Sequence, residues 1–148
     1  MITKAKTLYA VILDLRLCFN LLRTRADEMH KDLGVNASMR AVMESLAGED
    51  EKTVPEIARG KSVSRQHIQV IANRLTKAGL IKARDNPDDR RTFLISLTKR
   101  GQAVFDEVRK REAVELRRWS EGFSNEELKV TLSTLRKLSN ILKGMENE

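Results

Sequence analysis

Apolar residues recur every three or four positions along most of the chain, and the spacing drops to two in one short region. Leu8, Val11, Ile12, Leu15, Phe19 and Leu22 predict a long amphipathic helix from Ala5 to about His30. Asn36 stands where a cap belongs for a second helix through about Leu46, with Met39, Val42, Met43 and Leu46 inward and Gly48 ending it. Thr53 and Glu56 have the T-x-x-E spacing of a capping box, with Pro55 in the first turn. The helix they open is short, with Ile57 and Ala58 inward and Gly60 as its expected stop. Ser64 caps a fourth helix that runs to Ala78 and closes at Gly79.

From Leu80 the pattern changes. Leu80–Arg84 is short and extended, Asn86-Pro87 and Asp88-Asp89 signal a turn, and Phe93, Ile95 and Leu97 alternate as the returning strand of a hairpin. Thr98 then caps a long helix through about Trp119, with Val104, Val108 and Leu116 on one side, and Gly122 breaks it. Ser124 opens a last helix whose Leu128, Leu132, Leu135, Leu138, Leu142 and Met145 form a continuous apolar seam.

Two short helices joined by a tight turn and followed by a hairpin describe a winged helix-turn-helix, so the expected class is mostly α (α+β). Residues 35–101 are expected to form that winged core. Residues 1–34 and 102–148 are expected to form a helical dimerisation region, because their apolar stripes exceed what a small core can cover. The simplest partner is the same stripes of a second subunit, giving a two-fold homodimer.

Composition narrows the class. The chain has 148 residues, of which 41% are hydrophobic, 33% charged and only 4% aromatic, which fits a folded, helix-rich protein with an aliphatic core. No window is long and apolar enough to span a membrane. The N-terminal apolar run is interrupted by Asp14 and Arg16, with no cleavage site after it, so a cytoplasmic location is expected. The net charge of +7 is concentrated: eleven Lys and Arg between Ala58 and Gly101 face three Asp, and Ala58–Arg84 contains no acid at all. A basic excess confined to one segment suggests a polyanion-binding face, the alternative being a charged patch that only keeps the protein in solution.

That segment holds the Ser64–Arg74 stretch, SRQHIQVIANR. On a helix, Ile68, Ile71, Ala72 and Leu75 share one arc, while Arg65, Gln66, Gln69 and Asn73 occupy another beside Val70. Arg pairs with guanine O6/N7, Asn or Gln with adenine N6/N7, and Val70 suits a thymine methyl. Ser64 and the free amides it begins offer a phosphate site, with Arg74, Lys61 and Lys77 as further phosphate contacts. At the hairpin tip, Arg90 and Arg91 suit a narrow, electronegative minor groove.

The stretch from Val54 to Gly101 resembles the DNA-binding core of the MarR (multiple-antibiotic-resistance regulator) family. The resemblance rests on Arg74-Leu75…Gly79-Leu80, the wing Asp85-Asn86-Pro87-Asp88-Asp89-Arg90-Arg91, and Leu97-Thr98-Lys99-Arg100-Gly101, and it is close over about 50 residues. It implies a transcription regulator, expected as a repressor, binding a pseudo-palindromic double-stranded operator. It also implies that Arg91 is the wing arginine and Asp89 the acid that orients it. In the turn before the recognition helix the family usually has Leu-Gly, whereas this chain has Lys61-Ser62.

The resemblance further implies release by a small, often phenolic, anion bound between the dimer helices and the winged domain, with Arg16 and Arg23 as pocket candidates. Leu17–Leu21 is similar to the first helix of the hydroperoxide-sensing branch, which makes Cys18 a candidate redox sensor. That branch places tyrosines nearby, while this chain has only Tyr9, and a lone cysteine on an apolar helix also reads as a small core residue. No enzyme is expected, since no nucleophile–base pair or phosphate loop is present, and Asp88-Asp89 is ordinary turn chemistry. No cofactor is implied, and the two histidines, His30 and His67, stand outside any ligand-spaced cluster, so no metal is expected. An alternative reading is a protein-interaction adaptor built on a winged-helix dimer.

Overall fold

The computed structural model describes residues 3–146, which fall into two compact units, one through Arg109 and one from Lys110 onward. The first unit carries α1 (Thr3–Met29), a single 3-10 turn (Lys31–Leu33), α2 (Ala37–Ser45), α3 (Val54–Lys61), α4 (Arg65–Lys77), β1 (Ile81–Asp85), β2 (Phe93–Leu97) and the start of α5 (Lys99–Ser120). The second carries the rest of α5 and α6 (Asn125–Met145).

The caps form where the sequence places them. The side chains of Asn36, Thr53, Ser64 and Ser124 each accept from the backbone amide three residues on. Thr98 does the same for α5, accepting from the Gly101 amide at 2.9 Å. Each such bond satisfies one amide that the first helical turn leaves without a partner.

One expectation needs correction: Gly60 does not stop α3, which runs on to Lys61 and ends at Ser62 in the left-handed region (φ 54°). On α5, Val108 is buried with Gly101 and Phe105, Val104 is half-buried against the same core, and Leu116 is exposed. Phe105 and Val108 are fully enclosed, and burying an aromatic ring like this contributes about 1.5–3 kcal/mol.

The core joins Val42, Met43 and Leu46 of α2 and its end, Ile57 and Ala58 of α3, Ile68, Ile71, Ala72 and Leu75 of α4, and Ile81 and Ile95 of the hairpin. His30 is also fully buried. The strands pair antiparallel with Ile81 opposite Leu97 and Asp85 opposite Phe93. Lys52 adds a one-residue bridge on the other side of β2, its amide donating to the Ile95 carbonyl (3.0 Å) and its carbonyl accepting in return (2.8 Å). Gly101 lets α5 start against the hairpin: a Cβ there would run into the Leu80 carbonyl, whose oxygen already accepts from the Thr98 amide.

Candidate nucleic-acid interface

Local sequence explains how α4 is presented. After α3, Ser62 takes the left-handed position that glycine adopts without steric cost, and the Val63 amide donates back to the Ala58 carbonyl (3.0 Å). The chain therefore turns despite Lys61-Ser62 standing where Leu-Gly is usual. Ser64 is extended, accepts from the His67 amide (3.0 Å) and starts α4 at Arg65.

From there the burial pattern divides the helix. Ile68, Ile71, Ala72 and Leu75 are buried, and Arg65, Gln66, Gln69, Val70, Asn73, Arg74 and Lys77 are exposed. The Gln69 amide donates to the Asn73 side-chain oxygen (2.9 Å), one turn away. That bond uses a donor of Gln69 and the acceptor of Asn73, so the pair keeps the Gln69 oxygen as an acceptor and the Asn73 amide as a donor. His67 is exposed on the same helix, close in angle to Arg74. Lys61 is half-buried, and desolvation, reinforced by the Arg40 charge, lowers the pKa of its ammonium.

The wing tip is built from side-chain bonds to the backbone. Asn86 is only 8% exposed: its oxygen accepts from the Asp88 amide (3.1 Å) and its amide donates to the Thr92 hydroxyl (3.0 Å). The Asp89 carboxylate accepts from the Arg91 amide (3.0 Å) and from the Arg91 Nε (3.2 Å). Those two bonds, the backbone one first, hold the Asp89 carboxyl below its ordinary range. The Arg91 side chain is nonetheless 90% exposed, so it is aimed without being enclosed, and Arg90 beside it is exposed too.

Two residues outside the sequence-based set matter to this surface. Asn86 carries a turn signal in the sequence, yet only the fold reveals that it ties the start of the tip at Asp88 to its end at Thr92. Glu51, in the connection before α3, takes Arg84 in a two-pronged ion pair (Nε 2.6 Å, Nη2 3.3 Å). Arg84 is thus partly withdrawn from the basic segment in which the sequence counts it.

Arg16, Arg23 and Cys18 are exposed on α1, like the apolar residues around them. A cleft of about 720 Å³ opens between the hairpin and the first turns of α5, with Lys82, Arg84, Lys99, Glu51 and Asp106 on its walls; neither Arg16 nor Arg23 lines it. Among the described residues no group of His, Cys, Asp and Glu has the arrangement of a metal site, and no helix is long and apolar enough to cross a membrane.

Comparison with known proteins matches the model of the MarR family to residues 33–92, the span from the 3-10 turn to the wing. An uncharacterized protein of Mycobacterium tuberculosis is similar, with 34% identity over 100 residues, 68% of this chain and 70% of that one. The HTH-type transcriptional repressor MdtR of Bacillus subtilis is 31% identical over 96 residues, 65% of this chain and 62% of MdtR. The crystal structure of the MarR family transcription regulator SP03579 is similar with a TM-score of 0.83 at 28% identity, over 98% of this chain and 96% of that one.

Proposed function

Because the chain belongs to the MarR family, whose members are transcription regulators and not enzymes, we propose that it is a cytoplasmic homodimeric repressor of a pseudo-palindromic DNA operator. The observation that carries this reading is the exposed, acid-free face of α4 beside a wing that ends in Arg90 and Arg91. Arg65, Gln66, Gln69, Val70 and Asn73 read base edges in the major groove. Ser64, Arg74, Lys61 and Lys77 position the helix on phosphates, and Arg90 and Arg91, with Asp89 orienting the latter, enter the minor groove.

A two-fold dimer presents two such helices to two half-sites about one helical turn apart. The exposed apolar residues of α1 and α6 are the surfaces such a dimer buries. Repression is supported by the likeness to MdtR. Release follows from a small anion or an oxidation that alters the spacing of the two α4 helices, with Arg16, Arg23 and Cys18 of α1 as the receiving groups.

The test is selection of a randomised duplex pool, followed by fluorescence anisotropy across a salt series. The expected outcome is an enriched palindrome bound with a log–log salt slope of about −5, from three phosphate-contacting cations per subunit. Replacing Gln69 with Ala relaxes the preference at one base step by about 1–3 kcal/mol, and an unchanged preference removes Gln69 from the reading set. Salt-sensitive binding without an enriched sequence moves the adaptor reading to the front.

A further inference from the structure

Three consecutive residues between α2 and α3 each tie to a different element. Glu51 pairs with Arg84 of β1, Lys52 exchanges two backbone bonds with Ile95 of β2, and Thr53 caps α3, accepting from the Glu56 amide (3.2 Å). A two-stranded hairpin has little rigidity by itself. Here the short connection joins both of its strands to the first helix of the helix-turn-helix.

The register locates the outermost tether. Ile95, held by Lys52, pairs with Ala83, and Arg84, held by Glu51, is one step nearer the tip. Beyond it comes only the Asp85–Phe93 pair before the turn that carries Arg90 and Arg91. The Glu51–Arg84 pair is therefore the last side-chain attachment from this connection before the wing tip, and it is bidentate, the geometry in which an arginine–carboxylate pair has directional force. It also has an electrostatic effect. Unpaired, Arg84 would add one cation to the basic surface and strengthen attraction to any duplex regardless of sequence. Glu51 cancels that charge, and its carboxyl is held below the ordinary range by the bond from Arg84.

We propose that Glu51 is a positioning residue for specific DNA recognition: by pairing with Arg84 it sets the wing against α4 and withholds a cation from sequence-independent binding. The inference rests on the DNA-binding reading above and extends it to a residue of the α2–α3 connection. Both side chains are partly exposed, 56% for Arg84 and 37% for Glu51, so the pair contributes little to global stability. Its effect belongs in the ratio of specific to non-specific affinity, which a merely structural role would leave unchanged.

The test measures that ratio by anisotropy, with the selected palindrome and a scrambled duplex of the same length, for the full chain and three variants. In Glu51→Gln, operator affinity falls about fivefold, the size of a typical contact coupling. Binding to the scrambled duplex rises about twofold as Arg84 is released, for about one added phosphate contact per subunit. In Arg84→Gln, operator affinity falls similarly and scrambled binding does not rise. The exchanged pair Glu51→Arg/Arg84→Glu recovers the wild-type ratio. A ratio unchanged in both single variants overturns the proposal, and so does an exchanged pair no better than either single change. A wild-type chain that does not distinguish the two duplexes overturns the DNA-binding reading itself, and this inference with it.

Discussion

At the scale of single residues, the polar groups that matter are those whose partners are fixed. Gln69 and Asn73 hold each other, so removing Gln69 also loosens Asn73, and the two alanine changes cost less together than the sum of each alone. Arg91 is directed by Asp89, whose carboxyl is held below the ordinary aspartate range and therefore keeps its charge to lower pH than a free aspartate. Asn86 is the least exposed polar group of the wing and makes two bonds that alanine cannot. Asn86→Ala is expected to cost about 1–3 kcal/mol of local order. Amide exchange should quicken at Asp88–Thr92 while the α2–α4 core keeps its protection; unchanged exchange at the tip would mean that Asp89 alone holds the turn. The exposed α4 face and the wing arginines are legible in the sequence because helical angle and charge are properties of neighbours. Glu51 is not, since its partner lies 33 residues away and is identified only by strand register.

At the scale of elements, side-chain caps set the helix starts, and left-handed residues such as Ser62 and Gly79 set stops. Every N-terminal cap expected from Ser, Thr or Asn forms, because the bond it makes reaches only three residues. The end of α3 differs from expectation because one exposed glycine costs a helix only about 1 kcal/mol, less than the burial of Ile57 and Ala58 returns, and Ser62 takes the left-handed turn instead. Gly101 has a role that no local pattern reveals. It lies inside α5, where glycine lowers helix propensity, but it lets the helix approach the Leu80 carbonyl. Gly101→Ala should therefore destabilise by about 1–3 kcal/mol despite the better propensity of alanine, through forced displacement of α5 from the hairpin. A thermal melt that shows the variant equal to or above the wild type would mean that the two elements separate freely.

At the scale of the whole molecule, α1 and α6 expose rows of large apolar side chains. Leu8, Phe19 and Leu22 are exposed on α1, as are Leu128, Leu132 and Leu142 on α6. Apolar rows of this kind mark an interaction surface. On a monomer, an exposed Leu→Glu change is nearly neutral, within about 0.5 kcal/mol. At a two-fold seam the same change acts twice and buries a charge. Leu132→Glu is therefore expected to shift the sedimenting species from twice the chain mass to the chain mass, and to abolish binding to a palindrome at concentrations that saturate the wild type. A variant that sediments as a dimer would take Leu132 out of the seam.

What the sequence determined by itself is whatever depends on near neighbours: the helical and alternating periods, the caps, the hairpin between Leu80 and Leu97, the exposed acid-free face of α4 and the concentration of positive charge. Those follow from backbone geometry and side-chain spacing, which act over three or four residues. Tertiary structure alone decided that Lys52 completes the edge of the hairpin, that Glu51 pairs with Arg84, that Phe105 fills the core, and that Gly101 is required beneath Leu80. Each joins segments far apart in the chain, where the outcome depends on strand register and on how closely elements pack, and neither is written in any one stretch of residues.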